Sequence, residues 1–281
     1  MPERSIQDYG VQWYSRGSAP EFKRDHLAVE EPLEIRVAFT RNGVAVTKPV
    51  SVTMRTPGHD PALAVGFLFT EGVIPSPDAV TGVETSPERG ASIVVHLNRP
   101  VALKHLERNF FAASSCGICG KASLEAVNLN REVILPEGRP RWGVADLMKI
   151  PEQVHEAQST FRATGGLHAA ALLGAGRELW AVYEDIGRHN AVDKVIGHAL
   201  ITGRHDFSEA LLFVSGRAGF ELVQKAIMAG IPAMAAVGAP SSLAVDLARR
   251  YGFTLVGFLR NGRFNVYSGF TRIENGIPCK L

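Results

Sequence analysis

The chain has 281 residues, with 30 Lys and Arg against 28 Asp and Glu, for a formal net charge of +2. So even a balance excludes a protein that holds nucleic acid through a broad basic surface. Hydrophobic residues make up 46% of the chain, and no apolar run reaches the roughly 18 residues that a membrane span requires.

That composition is globular, and the length suggests about two domains. The opening MPERSIQDYGVQWYSRG has no apolar core segment, so no secretory signal is expected. Three cysteines do not make a disulfide framework, which points to a reducing, cytoplasmic setting.

Residues 1–25 are polar and are expected to form a loose arm. Residues 26–112 read as a small α+β domain. In LEIRVAFTRNGVAVTKPVSVTMRT two alternating runs meet at Arg41-Asn42-Gly43, a hairpin signal. DPALAVGFLFTEGVI predicts a helix with Asp60 as N-cap, Pro61 at the first helical position and Gly72 as terminator. ASIVVHLN predicts a further strand. Residues 113–143 hold a cysteine-bearing loop and a Pro- and Gly-rich linker.

Residues 144–281 begin with a helical stretch, VADLMKIPEQVHEAQSTFRAT, with a break expected at Pro151. Strands and helices then alternate through GLHAAALLG, ELWAVYEDIG, RHNAVDKVIGHALITG, ALLFVSG, FELVQKAIMAG, IPAMAAVG and SLAVDLARRYG. TLVGFLRNG and RFNVYSG close the chain as a hairpin. This rhythm predicts a layered α/β domain with a sheet in the middle.

Chemistry gathers at four places. In SSCGICGKAS, Cys116 and Cys119 stand two residues apart, each followed by glycine. The pair admits four readings. A zinc site would need a second ligand pair that the sequence does not supply. A dithiol redox site is possible for a CxxC near β/α alternation. Two idle thiols are the third reading.

The fourth is a sulfur carrier: a thiolate that attacks a donor persulfide becomes a persulfide itself, by the chemistry of thiol–disulfide exchange. A free cysteine ionises at about 8.5, and Lys104 and Lys121 lie near enough in sequence to favour the thiolate.

YEDIGRHNAVDK sits where a strand gives way to a helix, a place where anions bind. Gly187 allows close approach, and Arg188, His189 and Lys194 supply donors. SGRAGFE repeats the pattern with Ser215, Gly216 and Arg217, and two such turns at adjacent strand ends suggest one groove for a phosphate-bearing ligand. In GFLRNGRFNVY, Arg260 and Arg263 flank Asn261-Gly262, with Phe258 and Phe264 outside. This is either a plain hairpin or a pair of phosphate-binding arginines beside an aromatic ring. Lone histidines such as His59, His168 and His198 are more often structural than catalytic, and the sequence assigns none of them a role.

Taken with MRTPGHDPALAVGFLFTEGVI and KAIMAGIPAMAAVGAPSSLAVDLARRYGFTLVGFLR, these motifs resemble the formate dehydrogenase accessory sulfurtransferase family, FdhD, over about residues 30–270. The resemblance implies a sulfurtransferase that takes sulfur from a cysteine desulfurase. Its acceptor would be the molybdenum (or tungsten) bis-guanine-dinucleotide cofactor of formate dehydrogenase, held here as a bound acceptor and not as a permanent cofactor. It implies a persulfide on Cys116, with Cys119 assisting.

The family's cofactor contact falls on Phe258, Leu259, Arg260, Asn261, Gly262 and Arg263, and a homodimer is implied. It also implies a C-terminal domain like the cytidine deaminase fold. The zinc chemistry of that fold is not expected, because His168 is followed by Ala169-Ala170 and not by x-Glu.

Overall fold

Residues 5–86, 92–101 and 133–274 are described by the computed structural model of the chain. The expected loose arm is instead a ladder of β1 (Ile6–Trp13) against β2 (Glu21–Ala28), paired antiparallel from Ile6–Ala28 to Trp13–Glu21. Cross-strand side chains explain it. Lys23 stands 3.5 Å over the Trp13 ring, and His26 meets Asp8 at 2.7 Å. No Asn-Gly marks this turn, and neither strand keeps an apolar/polar alternation, so the pattern reads as coil.

β3 (Glu31–Arg41) and β4 (Val44–Arg55) form the hairpin predicted at Asn42-Gly43. Both turn residues have left-handed φ, 53° and 77°, as a type I′ turn requires. With β5 (Val80–Ser86) and β6 (Ser92–Leu97) they make a sheet of order β4-β3-β6-β5, in which β3 and β6 run parallel. Leu33, Ile35, Val37 and Phe39 alternate inward along β3.

α1 (Asp60–Thr70) packs on this sheet, and nine of its eleven residues are buried, so it is covered on more than one side. Its N-cap is His59, with a left-handed φ of 61°, and not the expected Asp60. Asp60 is buried and accepts two hydrogen bonds from Arg55, at 2.9 and 2.8 Å, so a tertiary ion pair has claimed the carboxylate. Pro61 therefore falls at the second helical position. Gly72 ends the helix as expected, with φ 70° and Val73 N–H bonded to the Leu68 carbonyl at 2.8 Å.

α2 (Val144–Ala157) runs unbroken through Pro151, and α3 (Ser159–Thr164) begins after Gln158. Burial of Ile150 and Val154, one on each side of the proline, holds α2 against the large sheet and overrides the local break signal.

That sheet has the order β12-β11-β10-β9-β7-β8. Its strands are β7 (His168–Leu173), β8 (Leu179–Asp185), β9 (Leu211–Val214), β10 (Ala233–Ala236), β11 (Thr254–Arg260) and β12 (Arg263–Ser268). β9, β10 and β11 are parallel, while β7, β8 and β12 each run antiparallel to their neighbours.

The crossovers are α4 (Arg188–Ile201), α5 (Phe220–Met228) and α6 (Ser242–Arg250). One sheet face, with Ala170, Leu172, Leu212, Val214, Met234 and Ala236, packs into the same cluster as α1, β3 and β6. The other face, with Ala171, Phe213 and Ala235, packs on α2 and Trp142. The two sheets thus share one core.

At the centre, α1 crosses α4 with backbones in contact. A Cβ added to Gly66 would lie 1.9 Å from the Asp193 carbonyl oxygen, and one on Gly197 would lie 1.9 Å from that of Ala62. Beside this crossing, the buried Lys225 ammonium donates to both Asp193 oxygens at 2.9 Å and to Thr70 Oγ1 at 3.0 Å, and pairs with Glu71 at 2.9 Å. Among the described residues, no helix is long and apolar enough to cross a membrane.

Candidate functional site

Strand direction decides which loops share an edge. β9, β10 and β11 end on the same edge of the large sheet, and β8 ends there too, because it is antiparallel to β7, which is antiparallel to β9. β7 and β12 begin there. The three turns singled out in the sequence, 185–189, 215–217 and 258–263, therefore lie along one edge, where ligands of α/β sheets bind.

The turns are not at adjacent strands as expected. β7 lies between β8 and β9, and its first residue, His168, fills the gap. His168 pairs with Asp185 in the strand register. Its ring lies 3.4 Å from where a Cβ on Gly216 would be, which sets the imidazole directly against the 215–217 turn. Burial, and then the charges of Arg188 and His189, hold the His168 pKa below its ordinary value, with Asp185 opposing. Burial therefore favours the neutral form of the ring. The sequence assigns His168 no role; its one signal there is its position at the start of a strand.

Gly187 is the N-cap of α4, and Arg188 and His189 open the helix. His189 Nε2 meets Glu221 of α5 at 2.9 Å, which ties the first turn to the second. Lys194, expected to serve a ligand, is 1% exposed and pairs with the fully buried Asp185 at 2.7 Å. It is a structural cation, because burial demands a partner for each of the two charges.

Ser215 is also committed: its Oγ accepts from the Ala169 N–H at 2.9 Å, and its own N–H donates to the Ala169 carbonyl at 3.0 Å. Arg217 is exposed beside it.

The edge continues through backbone. Gly238 N–H donates to the Gly216 carbonyl at 2.9 Å, and Phe258 N–H donates to the Gly238 carbonyl at 3.1 Å. A Cβ on Gly238 would come within 3.0 Å of the Gly216 carbonyl oxygen, so this second missed residue is also a close approach. Phe258 has φ 56° at an irregularity between Gly257 and Arg260. A bulky residue in the left-handed region is strained, and such strain gathers at functional sites.

The hairpin tip is type I′ as predicted, with φ 53° at Asn261 and 67° at Gly262. Arg260 and Arg263 are exposed there, and Arg260 stands 5.8 Å from the Phe258 ring centre. Leu259 departs from the expectation of a ligand contact: its side chain is 1% exposed and packs with the Trp142 cluster. Only its backbone faces the turn.

Cys116 and Cys119 lie outside the described residues. Among the described residues, no three His, Cys, Asp or Glu gather into a metal-binding set.

In class terms, this is a mixed α/β protein with a run of arginines, one half-buried imidazole and a close-approach glycine along one sheet edge. The chain belongs to the FdhD/NarQ family, whose model matches residues 28–274.

Three relatives carry the name Sulfur carrier protein FdhD. That of Streptomyces avermitilis is 48% identical over 268 residues, spanning 92% of each chain. That of Mycobacterium bovis is 51% identical over 260 residues, 88% of this chain and 91% of its own. The archaeal protein of Sulfurisphaera tokodaii is 41% identical over 259 residues, 92% of this chain and 95% of its own. A crystal structure from Desulfotalea psychrophila, described as a formate dehydrogenase accessory protein, matches with a TM-score of 0.76 at 24% identity. The match covers 96% of this chain and all of that one, and it shows the fold.

Proposed function

We propose that this chain is a cytoplasmic, homodimeric sulfurtransferase serving formate dehydrogenase. The observation that carries the reading is the name Sulfur carrier protein FdhD on relatives 41–51% identical over most of this chain.

In the loading step the Cys116 thiolate attacks the outer sulfur of a cysteine desulfurase persulfide. The donor's S–S bond breaks, the donor cysteine leaves as a thiolate, and Cys116 gains the sulfur. Cys119 guards that persulfide, or its thiolate attacks the inner Cys116 sulfur: the bond to the outer sulfur breaks, a Cys116–Cys119 disulfide forms, and the outer sulfur leaves at the sulfide level to the acceptor.

The acceptor, a substrate of this chain, is the molybdenum bis-guanine-dinucleotide cofactor. Its diphosphates suit the arginines at Arg188, Arg217, Arg260 and Arg263, and its guanine suits the Phe258 ring. Gly187, His189, Ser215, Gly216, Asn261 and Gly262 shape the same groove. The likeness of the large-sheet domain to a cytidine deaminase frame belongs to this reading, without that frame's zinc chemistry.

Incubation with a cysteine desulfurase and cysteine, followed by intact mass, tests the central step. The parent gains one sulfur atom per chain and Cys116→Ala gains none. A Cys116→Ala chain that still gains one refutes the assignment.

A further inference from the structure

The turn that presents Arg188 and His189 is not built by the large sheet alone. It rests on the end of β4, in the small sheet, and on Thr56 immediately after it. All three polar groups of Thr56, which is 3% exposed, engage it. The Thr56 N–H donates to Asp185 Oδ2 at 3.2 Å, and its Oγ1 accepts from the Ile186 N–H at 3.2 Å. Its carbonyl accepts from Lys194 Nζ at 2.8 Å.

Asn190, in the first turn of α4, completes the joint. Its Nδ2 donates to the Met54 carbonyl at 2.8 Å and to Asp185 Oδ1 at 3.1 Å, and its Oδ1 accepts from Thr53 Oγ1 at 3.1 Å. Asp185 Oδ1 also accepts from the Gly187 N–H at 2.8 Å. The end of β4 is itself fixed, because Arg55 is clamped bidentately by Asp60.

Seven hydrogen bonds and one ion pair therefore set the height and angle at which α4 begins. A shift of a few tenths of an ångström there moves the Arg188 and His189 side chains at the sheet edge. The fold does not need this arrangement for its apolar core, which is filled by α1, α4 and the sheet faces.

From this joint we infer that Thr56, helped by Asn190, is a positioning residue of the candidate site. It holds Arg188 and His189 where they meet the diphosphate of a guanine nucleotide, so the small sheet is part of the ligand site. The inference rests on the reading of the edge as a guanine-nucleotide site. Thr56 touches no ligand itself and acts through the turn.

The test is a double-mutant cycle on the full chain, with guanosine diphosphate as probe, affinity by calorimetry and the thermal midpoint measured for each variant. Thr56→Val keeps the shape and leaves the half-buried Ile186 N–H without its acceptor. It weakens binding about fivefold, the factor of one lost hydrogen bond, and Thr56→Ser restores it. In an Arg188→Ala background Thr56→Val has a smaller effect on affinity than in the parent, because one of the two residues it positions is gone. A purely structural threonine would lower the thermal midpoint in both backgrounds and leave affinity alone.

If Thr56→Val does not fold, Asn190→Ser, which frees the Met54 carbonyl, enters the same cycle with the same expectation. Unchanged affinity in the single variant, or full additivity with Arg188→Ala, overturns the inference and leaves the site reading standing. A parent chain that binds no guanosine diphosphate overturns both.

Discussion

Replacing Lys225 by methionine removes a buried cation from the α1–α4–α5 joint. The ammonium holds both Asp193 oxygens at 2.9 Å, with Thr70 and Glu71 as further partners. Asp193 is 1% exposed, so the variant leaves a carboxylate in the core with the Thr70 hydroxyl as its remaining polar contact. Stranding one member of a buried pair costs about 3–5 kcal/mol. At about 2–4 °C per kcal/mol for a chain of this size, the thermal midpoint drops by about 6–20 °C.

Burial works against the Lys225 charge, but Asp193 and Glu71 outweigh it and hold its pKa above the ordinary 10.5. A raised lysine pKa gives stability that is complete below the unfolded value and lost only in stronger alkali. The deficit of the variant therefore stays constant, as far as Lys225 is concerned, across neutral pH. Far-UV circular dichroism melts check this. Pairing the change with Asp193→Asn recovers most of the loss, since no charge is then stranded. A Lys225→Met chain within about 1 kcal/mol of the parent would refute the argument that this pair is electrostatically dependent.

Gly197→Ala places a methyl 1.9 Å from the Ala62 carbonyl oxygen, so α1 and α4 must part. We expect a loss of about 3 kcal/mol in chemical denaturation, against almost none for Gly82→Ala, where the added methyl meets nothing within 4 Å. For His168, the folded pKa lies below the ordinary 6.5, so the unfolded chain binds more protons as pH falls through that value. Stability is then lost on acidification. His168→Gln makes the fall in thermal midpoint shallower below neutral pH, and an identical slope counts against the burial of that ring.

Local chemistry made much of the fold readable. Asn42-Gly43 and Asn261-Gly262 each announce a type I′ turn because both residues must take left-handed φ, and both do. The strand–glycine–helix rhythm after residue 165 gave the elements of the large sheet in order, since crossovers leave periodic apolar runs. What stayed hidden was set by contacts distant in sequence. The order β9-β7-β8, which drops His168 between two turns, depends on strand pairing that no local pattern carries.

Asp60 looked like a cap because its neighbours, not its partner Arg55, were in view. Lys194 looked like a ligand group because its burial against Asp185 is a tertiary event. Leu259 sits in a motif that reads as a contact surface, while strand alternation turns its side chain into the core.

The backbone contact between α1 and α4 leaves the molecule without a seam. Split-protein and chimera schemes cut where little apolar surface crosses the boundary. Here a cut between the small and large sheets would bare two helices whose glycine grooves fit only each other. Exchange of halves between relatives would have to move α1 and α4 together, as one inherited block.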